Sequence, residues 1–404
     1  MPMTKMLPEW TEEIDRRRED LIALRRDFHR HPELSFEERR TSEIIAERLT
    51  AAKIEVTGAA QTGVVGILRG DLPGRTIAWR ADIDALPLTE RLEAPFASGK
   101  AGVMHACGHD GHTAVAIELA DILAARRAEM CGTAVFIFQP AEEIIAGARP
   151  MIEAGVLEDP RVDEVYGLHF TTTLAAGRVQ ARSGPSLASC DYFGVEVHGQ
   201  GGHGAMPHLS VDPMTVAANI LLGMQTLVAR EVPAQETAVM TVGQIISGTK
   251  GNIIPDTAVM RGTLRAYDER VREQLKQRLG AYAEHIARAY RAEALVRWEG
   301  GSCPACVNHD VQTALVQQCA ASVLGAAAVE EGERAMPSDD MALFLRERPG
   351  CYFRVGIRPT DGRPHPHHAP EFEMNEEGLE AGLRVALAVM RRTLPYGSSR
   401  NAEQ

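Results

Sequence analysis

The 404-residue chain is 45% hydrophobic and 24% charged, with 36 Gly and 22 Pro, which excludes collagen-like and disordered readings. Its 43 Lys plus Arg against 55 Asp plus Glu give a net charge of −12, a poor match to nucleic acid or to an anionic membrane surface. At roughly 100–200 residues per domain the length predicts about two to four domains. No apolar stretch approaches the roughly 18 residues that span a bilayer. The opening MPMTKMLPEWTEEIDRRRED lacks an apolar signal core, so a cytoplasmic protein is expected. Seven scattered Cys argue against a disulfide framework.

A first helix is predicted from Thr11, Glu12 and Glu13, ahead of Ile14, Leu21 and Leu24. Ser35 with Glu38 three residues on has the capping-box spacing and predicts a second helix starting there. TGVVGILRG and RTIAWRADID read as strands. HDGHTAVAIELADILAARRAEM reads as a helix of about six turns. CGTAVFIFQP is a buried strand, AEEIIAGARPMIEAG a helix after it, and EVYGLHF another strand. Strands alternating with helices give an α/β sandwich.

The character changes near Ser183-Gly184-Pro185. CDYFGVEVHG alternates Phe193, Val195 and Val197 with polar residues, a strand buried on one face. Asp212-Pro213 opens a helix to about Arg230. TAVMTVGQIISG and TAVMRGTLRAY are strands, Asp268 caps a helix, and ALVRWEG closes the set. The order βαββαβ is the ferredoxin-like unit. After Gly300 the α/β character returns, with a helix in VQTALVQQCAASVLGAA, a strand in GCYFRVGI and a closing helix before a loose tail, GSSRNAEQ. The expected architecture is a discontinuous α/β catalytic domain, 1–184 and 301–404, with an inserted lid or dimerisation domain at 185–300.

Several stretches carry residues suited to chemistry. HACGHDGHT offers Cys107 and His109 where a strand gives way to a helix, the edge at which open α/β sheets bind ligands; thiolate and imidazole suit a borderline divalent metal. A buried Cys with a helix-starting His is the alternative. FQPAEE delivers Glu142 and Glu143 to the same edge, where one carboxylate can bind metal while the other handles a proton. Acids at a helix start are the alternative. His169 ends EVYGLHF. WRADIDALP ends in Asp82 and Asp84, residues that also form turns. PHPHHAPEF carries His365, His367 and His368. Together these supply Cys, His and Glu from several strand ends, as a two-metal hydrolase requires. CPAC, Cys303 to Cys306, has no second pair at ribbon spacing and reads as a turn.

RADIDALPL, HACGHDGHT, FQPAEE, YGLH, GGHGAMPH, GNIIPD and HHAPEF occur in the order seen in the M20 metallopeptidase-like amidohydrolases. The chain most resembles their branch of hippurate hydrolase, N-acyl-amino-acid amidohydrolase and auxin-conjugate hydrolase. The resemblance implies a site for two divalent metal ions per subunit, Mn²⁺ or Zn²⁺ with Co²⁺ or Ni²⁺ as alternatives. It implies the ligands Cys107, His109, Glu143, His169 and a late His; His368 fits the late motif H-x-P-x-[FY], with His367 its competitor. It implies Glu142 as general base, with a pKa raised by burial beside another carboxyl. Asp84 matches an aspartate that orients a ligand. Asp82 stands where other branches carry a ligand His, and both aspartates are supporting candidates. Asp110 is a helix-start or supporting residue.

On the inserted domain, the resemblance implies that His203 reaches a partner subunit's site and polarises the scissile carbonyl. The resemblance also implies that Asn252 and Arg265 help bind the substrate's amide and carboxylate, for which an Arg fork is suited; a surface strand Arg is the alternative for Arg265. The implied activity is metal-dependent cleavage of N-acyl amino acids by a homodimer, or higher homo-oligomer, joined through the inserted domain. A dipeptidase or aminopeptidase of the same superfamily, or an inactive metal-binding scaffold, is the alternative. Two departures from the family pattern bear on the acyl pocket: Ser338-Asp339-Asp340-Met341 replaces a Glu-Asp-Phe stretch, and Ile144-Ile145-Ala146-Gly147 replaces a glycine-rich loop.

Overall fold

The computed structural model describes residues 8–361, 363 and 365–396; the tail GSSRNAEQ lies outside them. The chain divides into two compact units, Met1–Ser186 with Val307–Glu333 and Asp340–Gln404, and Leu187–Cys306 with Arg334–Asp339.

The first unit is built on an eight-stranded sheet. Its centre is four parallel strands in the order Cys131–Gln139, Leu72–Asp82, Glu164–Ala175 and Gly350–Arg358. These strands are buried along most of their length, as the apolar runs VFIF and TIAW require. Helix His109–Ala124 is buried on nearly every side and packs with Pro8–Arg30 and Glu377–Thr393. Phe136, Phe138, Trp79, Tyr166 and Phe353 are fully buried in the core. Two of the parallel strands end at Asp82 and Gln139, and His169 lies midway along Glu164–Ala175, which runs past the expected end of EVYGLHF.

Three local expectations are corrected. The helix after His109 ends at Ala124, because Arg127–Glu129 form a 3₁₀ turn into the next strand. Glu142 and Glu143 lie in a turn, and the helix there is only Ala148–Glu153. Helix Arg39–Ala51 starts after Ser35 and Glu38 rather than being boxed by them. Its first-turn N–H groups are taken by Glu33, which accepts from Arg40 at 3.1 Å and Thr41 at 2.8 Å.

The second unit has a four-stranded antiparallel sheet ordered Ala238–Ser247, Thr257–Ala266, Cys190–His198, Glu293–Cys303. Helices Pro213–Glu231 and Glu269–Ala289 pack on it, completing the ferredoxin-like βαββαβ unit. Phe193, Val195 and Val197 face its core. Asp212 and Asp268 cap the two helices with their side chains.

Buried Arg272 ties that core together. Its Nε donates to Asp191 Oδ2 at 2.6 Å, and its Nη2 donates to Asp191 Oδ1 at 2.8 Å and Ser302 Oγ at 2.9 Å. Burial would raise Asp191, but the Arg272 fork more than offsets it and holds the carboxyl below its usual range. Arg272→Met leaves Asp191 buried without its fork and should destabilise this unit by about 3–5 kcal/mol, read by chemical denaturation. The sign with pH follows from the depressed pKa. The pair's contribution is complete above about pH 4 and is lost as pH falls further, so the gap between wild type and variant should shrink in acid.

Candidate metal centre

The turn after Cys131–Gln139 and the loop after Leu72–Asp82 meet through Asp84. Its Oδ1 accepts the N–H of Glu142 at 3.1 Å and its Oδ2 that of Glu143 at 3.0 Å. Ser35 Oγ donates to the same carboxylate at 2.7 Å. The backbone carbonyl of Asp84 lies 2.9 Å from His109 Nδ1. In the neutral ring that contact fixes the tautomer, with the hydrogen on Nδ1 and the lone pair on Nε2.

Among the described residues, the buried His109 Nε2 has no hydrogen-bond partner. It lies 3.8 Å from Asp82 Oδ2, 3.9 Å from Glu142 Oε2 and 3.8 Å from Glu143 Oε1. Cys107 Sγ is 3.6 Å from His169 Nε2. His169 Nδ1 lies 2.5 Å from the carbonyl of Phe170, again leaving Nε2 as the lone-pair nitrogen. His368 Nε2 is 3.3 Å from Glu143 Oε2. Atoms bound about 2.0–2.3 Å from one ion lie roughly 3–4 Å apart, so these separations are those of ligands around a common cation. Cys107, His109 and His169 form one such group; Cys107, Glu143 and His368 form a second; His109, Glu142 and Glu143 join them.

The electrostatics also call for positive charge. Burial and the Glu143 carboxylate push the Cys107 thiol well up. Burial disfavours a charged His109, but Asp82 and Cys107 more than offset it and raise its pKa. Burial, with His112 and His367 nearby, holds His169 well below its ordinary range, so it stays neutral. A cation at this point would stabilise the thiolate and neighbouring carboxylates and replace the proton on His109. The residues fit a divalent metal.

The other sequence candidates take distinct places. Asp82 is bound by His112 Nδ1 at 2.5 Å and Arg80 Nη1 at 2.7 Å. Burial would raise it, yet His109, Arg80 and His112 hold it well below the carboxylate range. His112 Nε2 accepts the N–H of Phe170 at 2.9 Å, which leaves its Nδ1 as donor to Asp82. Asp110 lies 2.8 Å from both Arg25 Nε and His29 Nδ1. His367 lies beside His169, ring centroids 5.4 Å apart, and its nitrogens have no hydrogen-bond partner among the described residues. His365 turns to Asp361 and the carbonyl of Glu371.

On the second unit, His203 and Asn252 adjoin. His203 pairs with Ile253 in a short ladder, and the carbonyl of Asn252 accepts from Gly204 at 2.9 Å. Arg265 Nη1 donates to the Met336 carbonyl and to Ser338 Oγ, each at 3.1 Å.

Sequence reasoning missed the layer beneath the centre. Fully buried Arg80 donates to Gln139 at 2.8 Å, Asp82 at 2.7 Å and Asp340 at 3.2 Å. Asp340 in turn accepts from Gln139 Nε2 at 2.7 Å and from the Ala148 N–H at 2.9 Å. A lone Arg in the apolar strand sequence TIAWRADI was the available signal.

The family model for peptidase family M20/M25/M40 matches residues 78–392. N-acetylcysteine deacetylase of Bacillus subtilis is 41% identical over 361 residues, 89% of this chain and 93% of that protein. Thermostable carboxypeptidase 2 of Saccharolobus solfataricus is 39% identical over 367 residues, 90% of this chain and 92% of that protein. The crystal structure of the Bacillus subtilis YXEP protein, described as a dinuclear metal-binding peptidase of the M20 family, aligns with a TM-score of 0.79 at 37% identity, covering 93% of this chain and 98% of that one. The matched stretch contains Asp82, Asp84, Cys107, His109, Glu142, Glu143, His169 and His368, and the chain is a member of peptidase family M20/M25/M40.

Proposed function

We propose that the chain is a metal-dependent amidohydrolase that releases an amino acid from an N-acyl amino acid, with Glu142 as general base. The observation that carries this reading is the buried Nε2 of His109, which has no hydrogen-bond partner among the described residues and is surrounded by carboxylates at ligand spacing. The two relatives point to one substrate class. N-acetylcysteine and the peptide cut by a carboxypeptidase share an amide whose nitrogen belongs to an amino acid with a free carboxylate.

Cys107, His109, Glu143, His169 and His368 would hold two divalent cations; the mixed thiolate, imidazole and carboxylate set suits Mn²⁺ or Zn²⁺, with Co²⁺ or Ni²⁺ as alternatives. When bound, such ions polarise a carbonyl and lower the pKa of water. Glu142 takes the proton from the attacking water. It then passes that proton to the leaving nitrogen, so that water and amide become a carboxylic acid and an amine. Asp84 keeps His109 and the Glu142–Glu143 turn in register through its carbonyl and carboxylate. Arg265 reads the substrate carboxylate, Asn252 its amide, and His203 polarises the carbonyl from a partner subunit. The unpaired outer edge of strand Ala238–Ser247, with Ile245 and Ile246 half exposed, supports a homodimer through the second unit.

Glu142→Ala should lower kcat by about a hundredfold or more while stoichiometric metal remains bound, measured by steady-state kinetics and elemental analysis; substantial residual turnover contradicts the base assignment. Sedimentation should give a dimer, and His203→Ala should lower kcat without dissociating it. A fully active monomer removes the role of His203 across subunits.

A further inference from the structure

Ser35 and Glu38 have capping-box spacing, but Glu33 caps the helix that follows. Glu38 is thereby released to another task. It is fully buried. Its Oε2 accepts the Thr62 hydroxyl at 2.6 Å, and its Oε1 accepts the N–H of Ala141 at 2.9 Å. Ala141 immediately precedes Glu142.

The turn that Glu38 grips is strained. Ala141 has φ 54° and Ile145 φ 51°, left-handed values that cost about 1–3 kcal/mol each away from glycine and persist only where surroundings impose them. For β-branched Ile145 the conformation is a marked outlier. The turn closes on itself through Ile145 N–H to the Glu142 carbonyl at 2.7 Å and Ala146 N–H to the Ala141 carbonyl at 3.1 Å. A Cβ at Gly147 would collide with the Pro140 carbonyl. Three acidic side chains then take its outward N–H groups: Glu38 that of Ala141, Asp84 those of Glu142 and Glu143, and Asp340 that of Ala148. The peptide between Ala141 and Glu142 sets where the Glu142 side chain leaves the backbone; Asp84 holds its N–H, and Glu38 holds the N–H of the peptide immediately before it, between Pro140 and Ala141.

We propose that Glu38 is a positioning residue for Glu142: by accepting the Ala141 N–H it maintains the strained turn that aims the general base. The kinetic part rests on the amidohydrolase reading; the structural part does not. The contact of Glu38 with the turn is to the backbone N–H of Ala141.

The test compares wild type, Glu38→Gln and Glu38→Ala, each loaded with Mn²⁺. The measurements are steady-state kinetics on N-acetyl amino acids, thermal unfolding, and hydrogen exchange of peptides covering residues 140–147 by mass spectrometry. Glu38→Ala should lower kcat about ten- to hundredfold, the scale of a misplaced catalytic group, with KM within about twofold. Exchange in 140–147 should quicken while other core peptides keep wild-type protection. Glu38→Gln retains an oxygen acceptor and should restore both exchange and most of kcat. If Glu38→Ala does not fold, Glu38→Asp, one methylene shorter, should show the same split at about threefold. Wild-type exchange and kcat in the Ala and Asp variants would overturn the proposal. So would losses in Gln and Ala alike that track lowered thermal stability. A wild-type protein with bound metal and no amide cleavage overturns the amidohydrolase reading and the kinetic part of the proposal, leaving exchange in 140–147 to decide whether Glu38 holds the turn.

Discussion

Asp84 is the contact through which the two main segments of the centre meet. Its backbone carbonyl orients His109, and its two carboxylate oxygens take the N–H groups of Glu142 and Glu143. Three side chains from two separate segments are thus referred to one rigid point just past the end of a buried strand. A group that must aim a lone pair to within a few tenths of an ångström gains most from such a shared reference, because errors at separate supports would otherwise accumulate.

Beneath this hub lies a second polar layer inside the sheet. Arg80 connects Asp82, Gln139 and Asp340, and Asp82 passes the connection through His112 to the N–H of Phe170, next to His169. Buried charge of this kind is retained only where every member is paired, since an orphaned one is expensive. Here both carboxylates meet the guanidinium and also accept neutral donors. The layer joins the strands that lead to Asp84 and Glu142 and the strand that holds His169, so these residues sit on a common polar floor. On the far side, Arg25 and His29 of the first helix fix Asp110 next to His109.

Much of this was legible in the sequence where a local pattern maps directly onto structure. The alternation of Phe193, Val195 and Val197 marks a one-faced strand, and Asp212 and Asp268 mark helix starts. Chemistry-bearing residues stand out because Cys, His and paired Glu recur near the ends of several strands, although each stretch taken alone has a structural alternative. What was not legible depends on contacts between distant segments. The Glu142–Glu143 turn reads as helix because its residues are good helix formers; the left-handed Ala141 and Ile145 are imposed by Glu38, Asp84 and Asp340. The Ser35–Glu38 pair has the right spacing for a capping box, but a distant carboxylate acceptor and a distant N–H donor claim it first. Arg80 looks like an ordinary strand residue until its partners, as far off as Asp340, are in place.

The central claim is that the buried residues around His109 make amide cleavage dependent on divalent metal. The most direct measurement is release of free amino acid by chelated protein, before and after adding back Mn²⁺, Zn²⁺, Co²⁺ or Ni²⁺ singly. The substrates would be N-acetyl, N-benzoyl and indole-acetyl amino acids beside simple dipeptides. The account predicts no release by the chelated protein and metal-restored release from at least one acyl class. Release that survives complete chelation, or no release from any substrate with metal bound stoichiometrically, would contradict it.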